Sequence, residues 1–262
     1  MNEPVLPTNS RARVLFASLV GTTIEYYDFY LYGTAAALVF GALFFPGASP
    51  MAQQLSAFAT FAIAFIARPL GAALFGHFGD RLGRKTTLVA SLLIMGLSTT
   101  LIGVLPGFGV LGVVAPLLLC LLRFGQGIGL GGEWGGAALV ATENAPAHQR
   151  AWYGMFPQLG APLGFLFANG GFLLLTHALS EEAFRDFGWR IPFLLSALLL
   201  LVGMYVRLRL EESPVFRESL RHNVTPKLPL WQVFREHGLQ VLQGSLGMVI
   251  CYALFYISTV FA

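Results

Sequence analysis

The chain has 262 residues, of which 56% are hydrophobic and only 11% are Asp, Glu, Lys or Arg, with a formal net charge of +3. Soluble domains carry about 25% charged residues, so this composition describes a membrane protein. No basic patch interleaved with aromatics offers a nucleic-acid surface, and Cys120 and Cys251, each inside an apolar run, supply neither a disulfide framework nor a metal site.

Residues 1–13 read as a short polar cytoplasmic tail. Apolar runs follow at 14–40, 52–75, 86–105, 110–139, 152–179 and 191–210, with a seventh at 238–262. Each is long enough to cross ~30 Å of hydrocarbon with ~20 helical residues. The runs are continuous and lack the alternation of a barrel strand, so they are read as helices. Glu25 and Asp28 interrupt the first run and no small-residue cleavage site follows it, which argues against a signal peptide. Residues 211–237 are charged and contain proline, and are expected to link a six-helix bundle at 14–210 to the start of a second. The expected fold is an all-α integral membrane bundle of two inverted three-helix repeats plus one further transmembrane helix. Ala262 falls within an apolar run, from which a truncated chain is expected. With the amino terminus in the cytoplasm, most of the 16 Lys and Arg face inward and only Arg185 and Arg190 face outward.

A charge near a bilayer centre costs roughly 2.5–3.5 kcal/mol on insertion scales, so charges inside spans need partners or water. Glu25 and Asp28 lie in the first run, Arg68 in the second, and Arg123 and Glu133 in the fourth; the third, fifth and sixth hold none at depth. In an inverted repeat the first and fourth helices are equivalent, and binding sites lie at such interfaces. A rise of ~1.5 Å per residue puts Asp28 and Arg123 at comparable depth, Glu25 slightly lower, and Glu133 nearer the cytoplasm. Pairing of Arg123 with Asp28 or Glu25 is geometrically allowed. Such a pair either fixes helix packing or holds a carboxyl that loads and releases a proton, and the residues leave both open. Gln126 adds an amide beside Arg123, and Tyr26 and Tyr30 add hydroxyls near the same depth, most simply as packing residues. Arg68, near the next loop, reads as a snorkelling or structural cation, and Arg190 as an outer anchor. Gly127, Gly131 and Gly135 read as a helix-contact stripe.

Between the second and third runs lies Gly76-His77-Phe78-Gly79-Asp80-Arg81-Leu82-Gly83-Arg84-Lys85, read as a cytoplasmic loop whose glycines permit a tight turn. Its charges of both signs suit a latch between the inner ends of helices. This stretch resembles the G-x-x-x-D-R-x-G-R-K signature of the major facilitator superfamily, met by Gly76, Asp80, Arg81, Gly83, Arg84 and Lys85. Arg123-x-x-Gln126-Gly127 resembles the second signature. The stretches beginning at Gly21 (Gly-Thr-Thr-Ile-Glu-Tyr-Tyr-Asp-Phe), Ala67 (Ala-Arg-Pro-Leu-Gly), Gly131 (Gly-Gly-Glu-Trp-Gly-Gly) and Glu212 (Glu-Ser-Pro-Val-Phe) narrow the likeness to the metabolite:proton symporter family. That family includes shikimate, 2-oxoglutarate, citrate and proline/betaine carriers.

The resemblance implies alternating access, proton movement coupled to Arg123, and an inner latch from Asp80 to Arg84. Glu143 is in reach of Arg84, and Glu143-x-x-Pro146-x-x-x-Arg150 resembles the family's inner-loop motif. A full member has twelve spans, so the chain is expected to be an inactive N-terminal half that needs the missing half or self-association. The function read is proton-coupled symport of a small polar metabolite, an organic acid such as shikimate or a dicarboxylate, in a bacterial inner membrane. The alternative is a non-transporting sensor or scaffold on the same bundle. No cofactor, metal or nucleic-acid partner is expected, and no H-E-x-x-H or nucleophile set suggests an enzyme.

Overall fold

The computed structural model describes residues 10–209 and 229–260. Helix α1, Arg11–Ala35, starts at Ser10, whose hydroxyl accepts the Arg13 N–H at 3.4 Å, and runs on through a π-helical turn, Ala36–Phe40, into Gly41–Phe44. Ser49 caps α2, Pro50–Leu82, with proline preset at its first position. Then come α3, Arg84–Val104; α4, Val114–Glu143; α5, Arg150–Ala178; and α6, Arg190–Leu208. Among the described residues these give six helices long and apolar enough to cross a membrane, and no strand. The two compact units are residues 1–223 and 224–262. In the second, α7, Pro229–Val260, carries a non-helical residue at His237 (φ −129°, ψ 21°).

The expected cytoplasmic loop at 76–85 is corrected: helix continues through it, and only Gly83 separates α2 from α3. Gly83 has φ 101°, a conformation that a side chain penalises, and its N–H donates to the Gly79 carbonyl at 3.2 Å. Gly76 and Gly79 are ordinary helix residues of α2. Arg68 therefore sits 14 residues, ~21 Å, above the end of its helix rather than near a loop.

Helix α1 lies along α5 and α4 along α2, while α3 packs on both α4 and α6. Exchanging the first three helices with the last three exchanges the first two pairs, as an inverted repeat requires. Glycine sets the close approaches. A Cβ at Gly127 would strike Ala64 and Ala67, one at Gly131 would strike the backbone of Arg68 and Ala72, and one at Gly71 the backbone of Ile128. Gly160 and Gly164 of α5 do the same against Thr22 and Tyr26 of α1. Gly135, expected in the stripe, has nothing within 4 Å and is not part of it. The end of the bundle remote from the chain start is filled by an aromatic cluster of Tyr32, Phe40, Phe44, Trp189 and Phe193, all fully buried.

Candidate functional site: a buried layer of charge

Midway along α1, Asp28 is sealed from solvent, and each of its carboxylate oxygens accepts a hydroxyl: Thr99 of α3 donates to Oδ2 at 2.7 Å and Ser196 of α6 to Oδ1 at 2.8 Å. Thr99 Oγ1 in turn accepts from Gln126 Nε2 at 2.7 Å, and Gln126 Oε1 accepts from Arg123 Nη1 at 3.0 Å. Arg123 thus reaches Asp28 through an amide and a hydroxyl that connect α4 and α3 to α1. Its guanidinium lies over the rings of Tyr32 and Phe61, at 4.1 and 4.7 Å, where cation–π attraction is strong because water is excluded. The Thr99 hydroxyl has a second acceptor, the Met95 carbonyl at 3.0 Å, so its single proton can turn with the charge on Asp28.

One turn nearer the chain start, Glu25 is equally buried and pairs with Arg68 of α2 at 3.5 Å. The Arg68 guanidinium stands over Phe29 at 5.4 Å. Arg68, read from the sequence as a snorkelling or structural cation, is held by this pair within the mid-depth charge layer. A further turn down, Glu133 of α4 is ion-paired with Arg207 of α6. Ser91 donates to Glu133 Oε2 at 3.2 Å, and Arg207 Nη1 donates to the Leu88 carbonyl. This pair fits against α1 because Gly21 has no side chain there.

Arg207 corrects the expectation that the sixth helix holds no charge at depth. It falls one residue from the end of α6, where a cation ordinarily faces water, yet its side chain is only 4% exposed. The signal was helical spacing: Phe193, Ser196, Leu200, Gly203 and Arg207 recur every three or four residues and form the buried face. Ser196 and Thr99 are small hydroxyls in apolar runs, which nothing in the sequence sets apart from packing residues. Arg190 is more than an outer anchor: it donates to the Gly103 and Leu105 carbonyls at 2.8 and 2.9 Å and closes the end of α3.

Tyr26 and Tyr30 stack at 6.2 Å on a face shared by α1, α2 and α5, where Tyr30 meets Phe165 edge-on at 5.2 Å. Thr34 donates to Asn169 of α5 at 2.8 Å on that face. A separate cleft of about 620 Å3 between α1, α5 and α6 is lined by Leu19, Val20, Leu163, Phe167, Leu195 and their neighbours, and brings no charged group.

Of the expected latch, Lys85 Nζ donates to the Leu208 carbonyl at 2.7 Å and joins the start of α3 to the end of α6. Arg81 and Arg150 are exposed, and Glu143 ends α4 half-buried. The side chains of Asp80 and Arg84 lie outside the described residues, as do residues 211–228 of the linker expected at 211–237; its remainder, 229–237, is helix and forms the start of α7. Among the described residues no cluster of His, Cys, Asp and Glu could hold a metal.

A bundle of six membrane-length helices, paired as two repeats around charges held at mid-depth, is the N-terminal architecture of a major facilitator carrier. The chain belongs to the sugar (and other) transporter family, which it matches over residues 14–223. It is 59% identical to the inner membrane metabolite transport protein YhjE of Escherichia coli across 98% of this chain and 58% of that protein. It is 42% identical to the shikimate transporter of Escherichia coli across 100% of this chain and 60% of the other, and 35% identical to the proline/betaine transporter of Salmonella typhimurium across 93% and 50%. The chain thus spans 50–60% of the length of these relatives. The structure of the proton:xylose symporter XylE bound to 6-bromo-6-deoxy-D-glucose superposes with a TM-score of 0.72 at 20% identity, covering 80% of this chain and 46% of that one.

Proposed function

We propose that this chain supplies the N-terminal half of a proton-coupled symporter for a small polar metabolite, an organic acid of the size of shikimate or a dicarboxylate. The observation that carries the reading is the hydrogen-bonded path from Arg123 through Gln126 and Thr99 to Asp28, which spans three helices beside an open aromatic face. A network that only held helices together would gain as much from apolar packing, since buried ion pairs seldom repay their desolvation. One that responds to proton movement needs donors that can turn when the charge of the layer changes, and the Thr99 and Ser196 hydroxyls on Asp28 supply them. The names of the relatives support a metabolite, the shikimate transporter supports an acid, and the proton:xylose symporter supports proton coupling. The bias of Lys and Arg supports a cytoplasmic amino terminus in an inner membrane.

The test is uptake into vesicles by a complete carrier that contains this half, with and without an imposed proton gradient. Accumulation of shikimate or a dicarboxylate should follow the gradient, and Asp28→Asn or Arg123→Ala should abolish accumulation while the protein still inserts. Uptake indifferent to the gradient removes proton coupling, and normal accumulation in both variants removes the path.

A further inference from the structure

Three carboxylates, Glu25, Asp28 and Glu133, share the buried layer with three arginines, Arg68, Arg123 and Arg207. With all six ionised the layer is neutral. Arg123 and Arg207 are sealed, whereas Arg68 keeps 24% of its side chain exposed, propped by Phe29 on the face that also carries Tyr26, Tyr30 and Phe65. A mid-depth cation opening onto hydrocarbon would cost several kcal/mol, so this face is the aqueous side of the bundle. Of the three arginines, Arg68 is the one an incoming anion meets.

The carboxylate behind it is held more loosely than the others. Asp28 has two hydroxyl donors, and Glu133 has Arg207 and the Ser91 hydroxyl. Glu25 has the 3.5 Å contact with Arg68, and no hydroxyl or amide among the described residues donates to it as well. The other charges around it are Asp28 on its own helix, Glu133 and Arg123 on α4, and Arg207 on α6, whose charge acts on it electrostatically. Helix α5 meets α1 through Gly160 and Gly164, and its basic residues, Arg150 and His177, stand at its two ends.

Resting on the carrier reading above, we propose that Arg68 seats the carboxylate of an anionic solute, and that this draws Arg68 away from Glu25, which takes up one proton for each anion bound. The anion adds one negative charge to the layer and the proton, bound to a Glu25 carboxylate oxygen, adds one positive, so neutrality is kept and no bond of the solute changes. When the solute leaves, Arg68 returns to Glu25 and the proton departs to water. The solute class is a small organic acid whose body lies against Phe65 and Tyr30.

The test uses the 262-residue chain in nanodiscs of phosphatidylethanolamine and phosphatidylglycerol. Shikimate, lactate and benzoate, each a monoanion, are the probes and their methyl esters the uncharged controls. At least one acid binds, and its ester binds about ten-fold more weakly or worse, the loss of a charge-assisted contact. Binding takes up about one proton per acid by charge balance, read with an indicator dye and as a new protonated-carboxyl infrared band. The band vanishes in Glu25→Gln and persists in Asp28→Asn. Arg68→Gln weakens the acid to the level of its ester, and Arg68→Lys keeps part of the difference. The Glu25→Gln/Arg68→Gln double variant, which keeps the layer neutral and so guards against misfolding, binds acid and ester alike. Failure of all three acids to bind the folded chain, unchanged binding in Arg68→Gln, or a band that survives Glu25→Gln overturns the proposal. Binding with proton uptake at Glu25 but without gradient-driven accumulation would remove the carrier reading alone. Gradient-driven accumulation that survives Glu25→Gln and Arg68→Gln would remove this inference alone.

Discussion

Three arginines belong to the charge layer among the described residues, and each holds its charge by different means. Arg123 is stabilised by aromatic faces and an amide, Arg68 by one carboxylate and partial exposure, and Arg207 by a carboxylate and a carbonyl in full burial. The Arg207–Glu133 pair is the one whose loss should be felt as stability. Removing one partner of a buried pair typically costs about 3–5 kcal/mol, because the other charge is left without compensation, while replacing both by apolar groups is close to neutral. Arg207→Met and Glu133→Gln should therefore each lower the thermal midpoint of the detergent-purified chain sharply, and Arg207→Met/Glu133→Leu should recover most of the loss. Additive losses in the double variant would show that the two side chains act separately. These residues also mark what could be read without coordinates. The charged members of the layer on the first and fourth helices stand out because a charge in an apolar run is conspicuous. Ser196 and Thr99 do not, since hydroxyls satisfied by their own helix backbone are common in such runs, and Arg207 was hidden by its position at a helix end.

At the scale of elements, the helices followed from apolar runs of spanning length, because in a bilayer every backbone N–H and C=O must be satisfied within the segment. Their ends did not, since α2 carries a charged, glycine-rich stretch through Arg81 as helix and turns only at Gly83. Glycine content alone signals both a turn and a close helix contact, and only the neighbours decide. Gly131 faces the α2 backbone at Arg68 and Ala72, while Gly135, one turn on, faces open space. Gly131→Leu should force α2 and α4 apart and displace Arg68 with them, at the cost of about 1–3 kcal/mol that overpacking brings, or more where backbone is the obstacle. Gly135→Leu, whose side chain meets open space, should leave the thermal midpoint unchanged or raise it by about 1–3 °C, since glycine is a poor residue for a helix interior. Equal effects of the two would contradict the α2–α4 contact.

For the whole molecule, the decisive feature is the face of α1, α2 and α5 that carries Arg68, Tyr26, Tyr30 and the Thr34–Asn169 bond. Polar groups at this depth are stable only beside water or another polar surface, and a solute path needs a second wall. The relatives are longer than this chain, which spans 58% of one and 60% of another. The proposed half-carrier therefore makes a definite prediction. Proteoliposomes containing the 262-residue chain by itself should show no gradient-driven accumulation of shikimate, proline or glycine betaine, although the protein inserts with its amino terminus on one side. Co-reconstitution with the remaining C-terminal part of the 59% identical relative should restore accumulation of at least one of the three. Robust accumulation by the chain alone would refute the half-carrier reading. Cross-linking through cysteines placed at Tyr26 and Phe165 would then decide whether a second copy supplies the facing wall, since both residues lie at the open face.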